Sequence, residues 1–213
     1  MQIVRRCRQR CVKLIWALIV VSVAAPIGLV AISLGLRLAP LPYELFVVWQ
    51  RLPIVFPLHM IASGVALILI PIAVFVRRWA LAHRMAGGLA AAAVSLGALS
   101  ALPVALASEA QAMGRIGFLA QGVVWLLLLA AGLTAIWRGD TVRHVRCMLA
   151  MAAVASGAIW LRLVLVAVNA AHVPFAPAYS VASWICWLVP LCFAVALSKR
   201  PRIDGVLRQP FAT

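Results

Sequence analysis

Six long apolar runs dominate the sequence, and each is close to the length that a lipid bilayer requires. A hydrocarbon core of about 30 Å needs roughly 20 consecutive apolar residues in a helix. With 66% hydrophobic residues and a mean hydropathy of +1.11, the chain has no interval long enough for a separate soluble domain. The runs predict transmembrane helices over residues 12–37, 54–76, 85–107, 116–137, 148–170 and 181–198. We therefore predict an all-α bundle of six transmembrane helices, forming one membrane domain over residues 12–198 between basic segments 1–11 and 199–213.

When the six runs cross the membrane in alternating directions, most of the positive charge lies on one side. Fifteen of the 19 Lys and Arg residues fall in the N-terminus, the second and fourth inter-run loops, or the tail. Short loops rich in Lys and Arg stay cytoplasmic, so we predict both termini to be cytoplasmic, in a bacterial inner membrane. The net charge of +15 then faces anionic headgroups. A nucleic-acid-binding protein would gather its basic residues on one folded face, and we expect no nucleic-acid partner.

The third run carries two stripes of small residues. Gly87, Ala91 and Ser95 follow one another at intervals of four, and a second face carries Gly97 and Ala101. Small residues allow two helix backbones to approach closely. We therefore expect the third helix to lie between two close neighbours.

Arg162 is the most unusual residue of the fifth run. An arginine at the centre of a membrane helix costs about 2.5–3.5 kcal/mol on insertion scales, so it should face the bundle interior or water. Its spacing from His144 and Asn169 puts the three on nearly one helical face. Glu109 and Glu44 are the candidate counter-ions. The alternative is that Arg162 extends its side chain towards the headgroups.

Four polar residues lie at similar depth in the outer half of their runs: His59, Gln121, Arg162 and Asn169. If their helices face one another, they line a polar pocket that opens outwards. An arginine in such a pocket suits a carboxylate, a phosphate or a quinone oxygen. The alternative is an interhelical hydrogen-bond network that binds no ligand.

Two further histidines, His83 and His144, stand at matching inner depth at the starts of the third and fifth runs. Histidines from two helices at one level can ligate the iron of a b-type haem. The alternative is that each histidine, flanked by arginine, meets headgroups at the interface. His172 is expected in a loop. Cys7 and Cys11 have no third ligand nearby and are surrounded by arginines, so we predict no metal site.

Several short motifs occur in an order that resembles a known family. They are Leu58-His59 with Gly64, His83-Arg84 with Gly87, Ile116-Gly117-Phe118 before Trp125, Arg138-Gly139-Asp140, His144 with Arg146 and Met148, Leu161-Arg162, and Trp184-x-Cys186-Trp187. From about Phe56 to Leu197 the chain resembles prokaryotic multi-pass membrane proteins grouped as domain of unknown function 2306. Met85, Cys147 and Pro190 depart from the usual pattern of that family. The resemblance implies a membrane architecture and draws attention to the same His and Arg residues, but it implies no activity.

The sequence leaves the biochemical activity, and whether the protein is an enzyme, undetermined. The most concrete hypothesis is a membrane redox protein, in which His83 and His144 hold one b-type haem and the outer pocket takes a quinone or small anionic partner. The alternatives are a cofactor-free transport or binding protein and an accessory membrane subunit. The four carboxylates all lie outside the runs, which argues against hydrolysis and proton-driven transport.

Overall fold

The computed structural model describes residues 20–198, which form helices joined by short turns, with no strand in that range. The elements are a π-helical turn at Val20–Ala24, then α1 (Ala25–Gly35), α2 (Tyr43–Arg51), α3 (Val55–Phe75), α4 (Ala80–Ala107), α5 (Ala112–Trp137), α6 (Thr141–Ala155), α7 (Gly157–Ala170) and α8 (Phe175–Ser198). The all-α prediction is confirmed. The basic segments 1–11 and 199–213, and the start of the first run, lie outside the described residues.

Five helices are long and apolar enough to cross a membrane: α3, α4, α5, the nearly continuous α6–α7, and α8. The described part of the first run is a shorter apolar helix, Ser22–Gly35. Several helices begin earlier than predicted. Their first turns carry polar residues, which a search for apolar runs leaves out although the helical hydrogen bonding of the backbone already includes them. At α6, for example, the Asp140 carboxylate accepts a hydrogen bond from the Arg143 backbone N–H at 2.9 Å. This side-chain cap starts the helix at Thr141 rather than at residue 148.

The helix α2 lies in the segment that the sequence analysis treated as a loop. Its nine residues carry Glu44 in the first turn and Arg51 in the last, the order that the helix dipole favours. Pro42 precedes the helix with an extended backbone. A nine-residue amphipathic helix is too short to cross a bilayer, so a search for long apolar runs does not detect it.

The helices pack in an order that follows the chain. The hairpin of α3 and α4 has the most extensive interface, α1 packs on the other side of α3, and α5 packs against α4. Small residues build the centre: Val94 and Ala98 are fully buried, and a Cβ atom added at Gly97 would lie 2.9 Å from Ser63 Oγ. The expectation that the third predicted span has two close neighbours is confirmed, since α4 lies between α3 and α5.

The fifth predicted span breaks at Ser156, where α6 ends and α7 begins. Kinks commonly occur at Gly and Ser pairs, and here Ser156 is followed by Gly157. The Ser156 hydroxyl donates to the Ala153 carbonyl at 2.7 Å, and Gln121 Nε2 of α5 donates to the Val154 carbonyl at 3.2 Å. Below the break, α6 packs against α3, α5 and α8, whereas α7 packs extensively only against α8.

Candidate functional site

A cavity of about 520 Å³ lies at the end of the bundle where α3, α5 and α8 begin and where α4 and α7 end. Above the break at Ser156, α7 packs extensively only against α8, and residues of both α3 and α7 line the cavity. Most of its wall is apolar, with side chains such as Phe56, Leu67 and Phe118. Its polar lining residues are His59, Ser63, Ser108, Gln121, Arg162, Tyr179 and Ser183. The volume is in the usual range for small-molecule sites, about 300–1,000 Å³.

His59 is held in place by the backbone of α4. Its Nδ1 lies 2.9 Å from the carbonyl oxygen of Gly97, and Ser63 Oγ lies 3.4 Å from the same nitrogen. Because a carbonyl oxygen only accepts hydrogen bonds, Nδ1 carries the proton. Nε2 is then the ring nitrogen left for a ligand, on a side chain that lines the cavity.

The Arg162 guanidinium lies at the cavity without a carboxylate partner among the described residues. Its Nη1 donates to the Ala158 carbonyl of its own helix at 2.6 Å. A guanidinium has five N–H donors, so four of them have no acceptor within residues 20–198. Tyr179, which also lines the cavity, lies within electrostatic range of Arg162.

The predicted counter-ions of Arg162 are placed elsewhere. Glu109 forms an ion pair with Arg51, whose Nη1 also donates to the Ala107 carbonyl at 2.7 Å. The prediction that Glu109 neutralises Arg162 is therefore wrong, because the end of α2 brings another arginine to it first. Glu44 is exposed on α2 and is in electrostatic range of Tyr179, but it forms no ion pair with Arg162.

Trp125 adds a second donor without an acceptor. Its indole lines the cavity and is only 9% exposed. Trp125 Nε1 is the one buried side-chain nitrogen or oxygen in the described part of the chain that has no hydrogen-bond partner. The large majority of such buried groups are paired in native structures, so this donor points to an acceptor that residues 20–198 do not supply.

Asn169 does not belong to the site. It is exposed in the last turn of α7, and it is not among the residues that line the cavity. The break at Ser156 lies between His144 and the other two members of the predicted stripe, Arg162 and Asn169, which both belong to α7. His172 lies in the turn that follows, so its loop prediction is confirmed.

The inner histidines sit at the opposite end of the bundle from the cavity. His83 Nδ1 donates to the Ala73 carbonyl near the end of α3, and His144 Nδ1 donates to the Gly132 carbonyl of α5, both at 2.9 Å. Each ring thus ties the two helices of its own hairpin together and keeps Nε2 available. The helices that carry them, α4 and α6, do not pack extensively against each other. The paired haem site stays a prediction.

The described residues contain no group of three or more His, Cys, Asp or Glu side chains that could hold a metal ion. Cys7 and Cys11 lie outside these residues.

The cavity combines an apolar wall with an excess of hydrogen-bond donors. Among the described residues, Arg162 and Trp125 have N–H groups without acceptors, and the Tyr179 hydroxyl makes no hydrogen bond. The centre of the Tyr179 ring lies 5.3 Å from that of Phe118 and 5.2 Å from that of Phe175. Such a site complements a molecule with oxygen acceptors at one end and an apolar remainder.

Sequence reasoning identified three of the polar lining residues, His59, Gln121 and Arg162, but not the role of Trp125 and Tyr179. Trp125 follows Gln121 by one helical turn, so the signal was its position on the same face of α5. The lack of a hydrogen-bond acceptor for Trp125 Nε1 is visible only in the three-dimensional structure.

The chain matches the predicted membrane protein family DUF2306 over residues 56–197, two thirds of its length, and it belongs to that family. It is a multi-pass membrane protein, and the description of the family names no activity. Neither the curated proteins nor the solved structures contain a match to this chain.

Proposed function

We propose that this protein is a six-span inner-membrane protein with cytoplasmic termini, and that its cavity binds a small amphiphile carrying oxygen acceptors, such as a quinone or an anionic lipid-like molecule. The orientation is supported by the turns after α3 and α5, which carry Arg77 and Arg78, and Arg138. Cytoplasmic loops of membrane proteins carry an excess of Lys and Arg. The cavity, at the other end of the helices, then faces outwards.

One observation carries the binding proposal: donors from three helices meet at one cavity and lack acceptors in the described residues. They belong to Trp125 of α5, Arg162 of α7 and Tyr179 of α8. Trp125 Nε1 is buried, and leaving a buried donor unpaired costs about 1–3 kcal/mol. A bound carbonyl or carboxylate oxygen would remove that cost and accept from Arg162 and Tyr179, and the apolar wall would take the rest of the molecule out of water.

Equilibrium quenching of tryptophan fluorescence tests the proposal. Decylubiquinone is titrated into the purified protein, and the part of the quenching that disappears in Trp125→Phe reports binding at the cavity. A charge-assisted hydrogen bond contributes about 1.5–3 kcal/mol, so Arg162→Gln should weaken binding by about 10- to 100-fold.

The matched control is Arg115→Gln, which changes an arginine that bonds the Ala110 carbonyl at 2.8 Å and does not line the cavity. Competition between decylubiquinone and a fatty acid shows whether the cavity prefers a quinone or a carboxylate head group. A saturable Trp125 signal that is the same in Arg162→Gln and wild type would refute the proposal.

A redox role with one b-type haem between His83 and His144 is the second candidate. The observation in its favour is that each Nδ1 donates to a backbone carbonyl, because metal-bound histidines usually make such a bond with their other nitrogen. A dithionite-reduced minus oxidised visible spectrum tests it. A sharp α-band that His144→Ala abolishes would support the haem, and a featureless spectrum of folded, haem-supplemented protein would exclude it.

A further inference from the structure

The wall of the cavity is incomplete on one side. Around the cavity, α1 packs on α3, α3 on α4, α4 on α5, α5 on α8 and α8 on α7. The two ends of this series are α1 and α7, and no extensive contact joins them in the described part of the chain. Both nevertheless line the cavity, α1 through Ile27, Ala31 and Leu34, and α7 through Leu161 and Leu165. The described residues therefore place no helix–helix interface on this side of the cavity, and we call the space between α1 and α7 the gap.

The gap lies above the break at Ser156. Below the break, α6 contacts α3. Above it, α7 packs extensively only against α8. The outer face of α7 is apolar and exposed, with Leu163 at 53% and Val166 at 70%. Bilayer lipid is the natural neighbour of that face, and it therefore also reaches the edge of the gap.

The end of the cavity that faces water is covered by α2. Leu45 and Val48 of this helix line the cavity. The cover is fixed at its end by Arg51, through the ion pair with Glu109 and the bond to Ala107 described above. A second contact fixes the last turn of α2, because the Arg37 guanidinium lies 4.1 Å from the centre of the Trp49 ring, a favourable cation–π geometry.

From these features we propose that the ligand enters sideways from the bilayer, through the gap between α1 and α7, and is therefore a lipid-soluble amphiphile with an apolar tail. This inference rests on the proposed binding function. The oxygen-bearing head reaches Arg162 and Trp125, and the tail lies between the leucines of the gap. A tail that stays partly in lipid keeps the favourable transfer free energy of its methylene groups.

The experiment measures how fast decylubiquinone quenches Trp125 after mixing with proteoliposomes. A double variant, Leu34→Phe with Leu165→Phe, narrows the gap and is called the gap variant. It is compared with a control double variant, Val30→Phe with Val166→Phe. The control pair lies on the same two helices, but its side chains are exposed and do not line the cavity. Glu109→Gln, which loosens the cover, forms the third arm.

The lateral route predicts that the gap variant slows quenching by about one order of magnitude, within the range over which association rates vary among variants of one site. The final extent of quenching stays close to wild type, which shows that the variant is folded and still binds. The control pair and Glu109→Gln keep the wild-type rate.

Three results would overturn the proposal. An unchanged rate in the gap variant, with a faster rate in Glu109→Gln, would place entry at the aqueous end. A wild-type dimer that the gap variant converts to a monomer would show that a second copy closes the gap. The absence of any saturable Trp125 signal in wild-type protein would refute the binding function itself, and the route with it.

Discussion

Replacing Gly157 by alanine tests how closely the start of α7 packs against α5 and α8 beside the cavity. A Cβ atom at this position would lie 2.8 Å from Gln121 Nε2 and 3.1 Å from Trp187 Cβ. Gln121 must then move and lose its bond to the Val154 carbonyl, worth about 0.5–1.5 kcal/mol. The Trp187 Cβ cannot move without the backbone of α8, and overpacking of this kind costs about 1–3 kcal/mol. Alanine returns only about 0.5–1 kcal/mol through its helix propensity, so we expect a net loss of about 1–3 kcal/mol.

The assay is the free energy of unfolding, measured by titration with sodium dodecyl sulfate in mixed micelles and followed by circular dichroism. Gly88→Ala is the matched control, because a Cβ atom there has no neighbour within 4 Å. It should be neutral or stabilising by up to about 1 kcal/mol. If Gly157→Ala is as stable as Gly88→Ala, then Gln121 of α5 and Trp187 of α8 do not pack closely against Gly157, and the described packing beside the cavity is wrong.

Three further predictions address other parts of the fold. Gly64→Ala should destabilise the protein by about 2 kcal/mol or more, because its Cβ atom would lie 2.6 Å from the backbone oxygen of Gly28 and push α1 away from α3; the same titration measures it, and wild-type stability would contradict it. Glu109→Gln should change stability by less than about 1 kcal/mol, since its ion pair with Arg51 is half exposed, yet it should speed amide hydrogen exchange in α2; unchanged exchange would show that the ion pair does not hold the cover. Asn169→Ala should leave Trp125 quenching by decylubiquinone unchanged, because Asn169 does not line the cavity, and a clear loss of affinity would place it in the site.

The sequence predicts the membrane helices well because their signal is long and repeated. An apolar run of about 20 residues has few other stable solutions in a bilayer, so the approximate positions of α3, α4, α5 and α8 follow from composition alone. The helix α2 and the early starts of α4 and α6 were missed, since capping and dipole effects act over a few residues and do not raise hydropathy.

The site was predicted only in part, because helical spacing places residues on a face but does not show how far a cavity extends along it. Arg162 and Asn169 both lie on α7, but Asn169 stands in the last turn of that helix and does not line the cavity. The Ser156-Gly157 pair was a signal of the break between His144 and Arg162. The partner of Glu109 was misassigned for a related reason, because Arg51 belongs to the helix that was not predicted.

The most direct test of the central claim is native mass spectrometry of the protein purified in mild detergent, followed by chemical identification of what it releases. We predict that wild-type protein carries an oxygen-bearing amphiphile, that Arg115→Gln retains it and that Arg162→Leu loses it. A bound molecule retained equally by all three proteins, or a wild-type protein without any bound amphiphile that also fails to bind added decylubiquinone, would contradict a ligand site at Arg162.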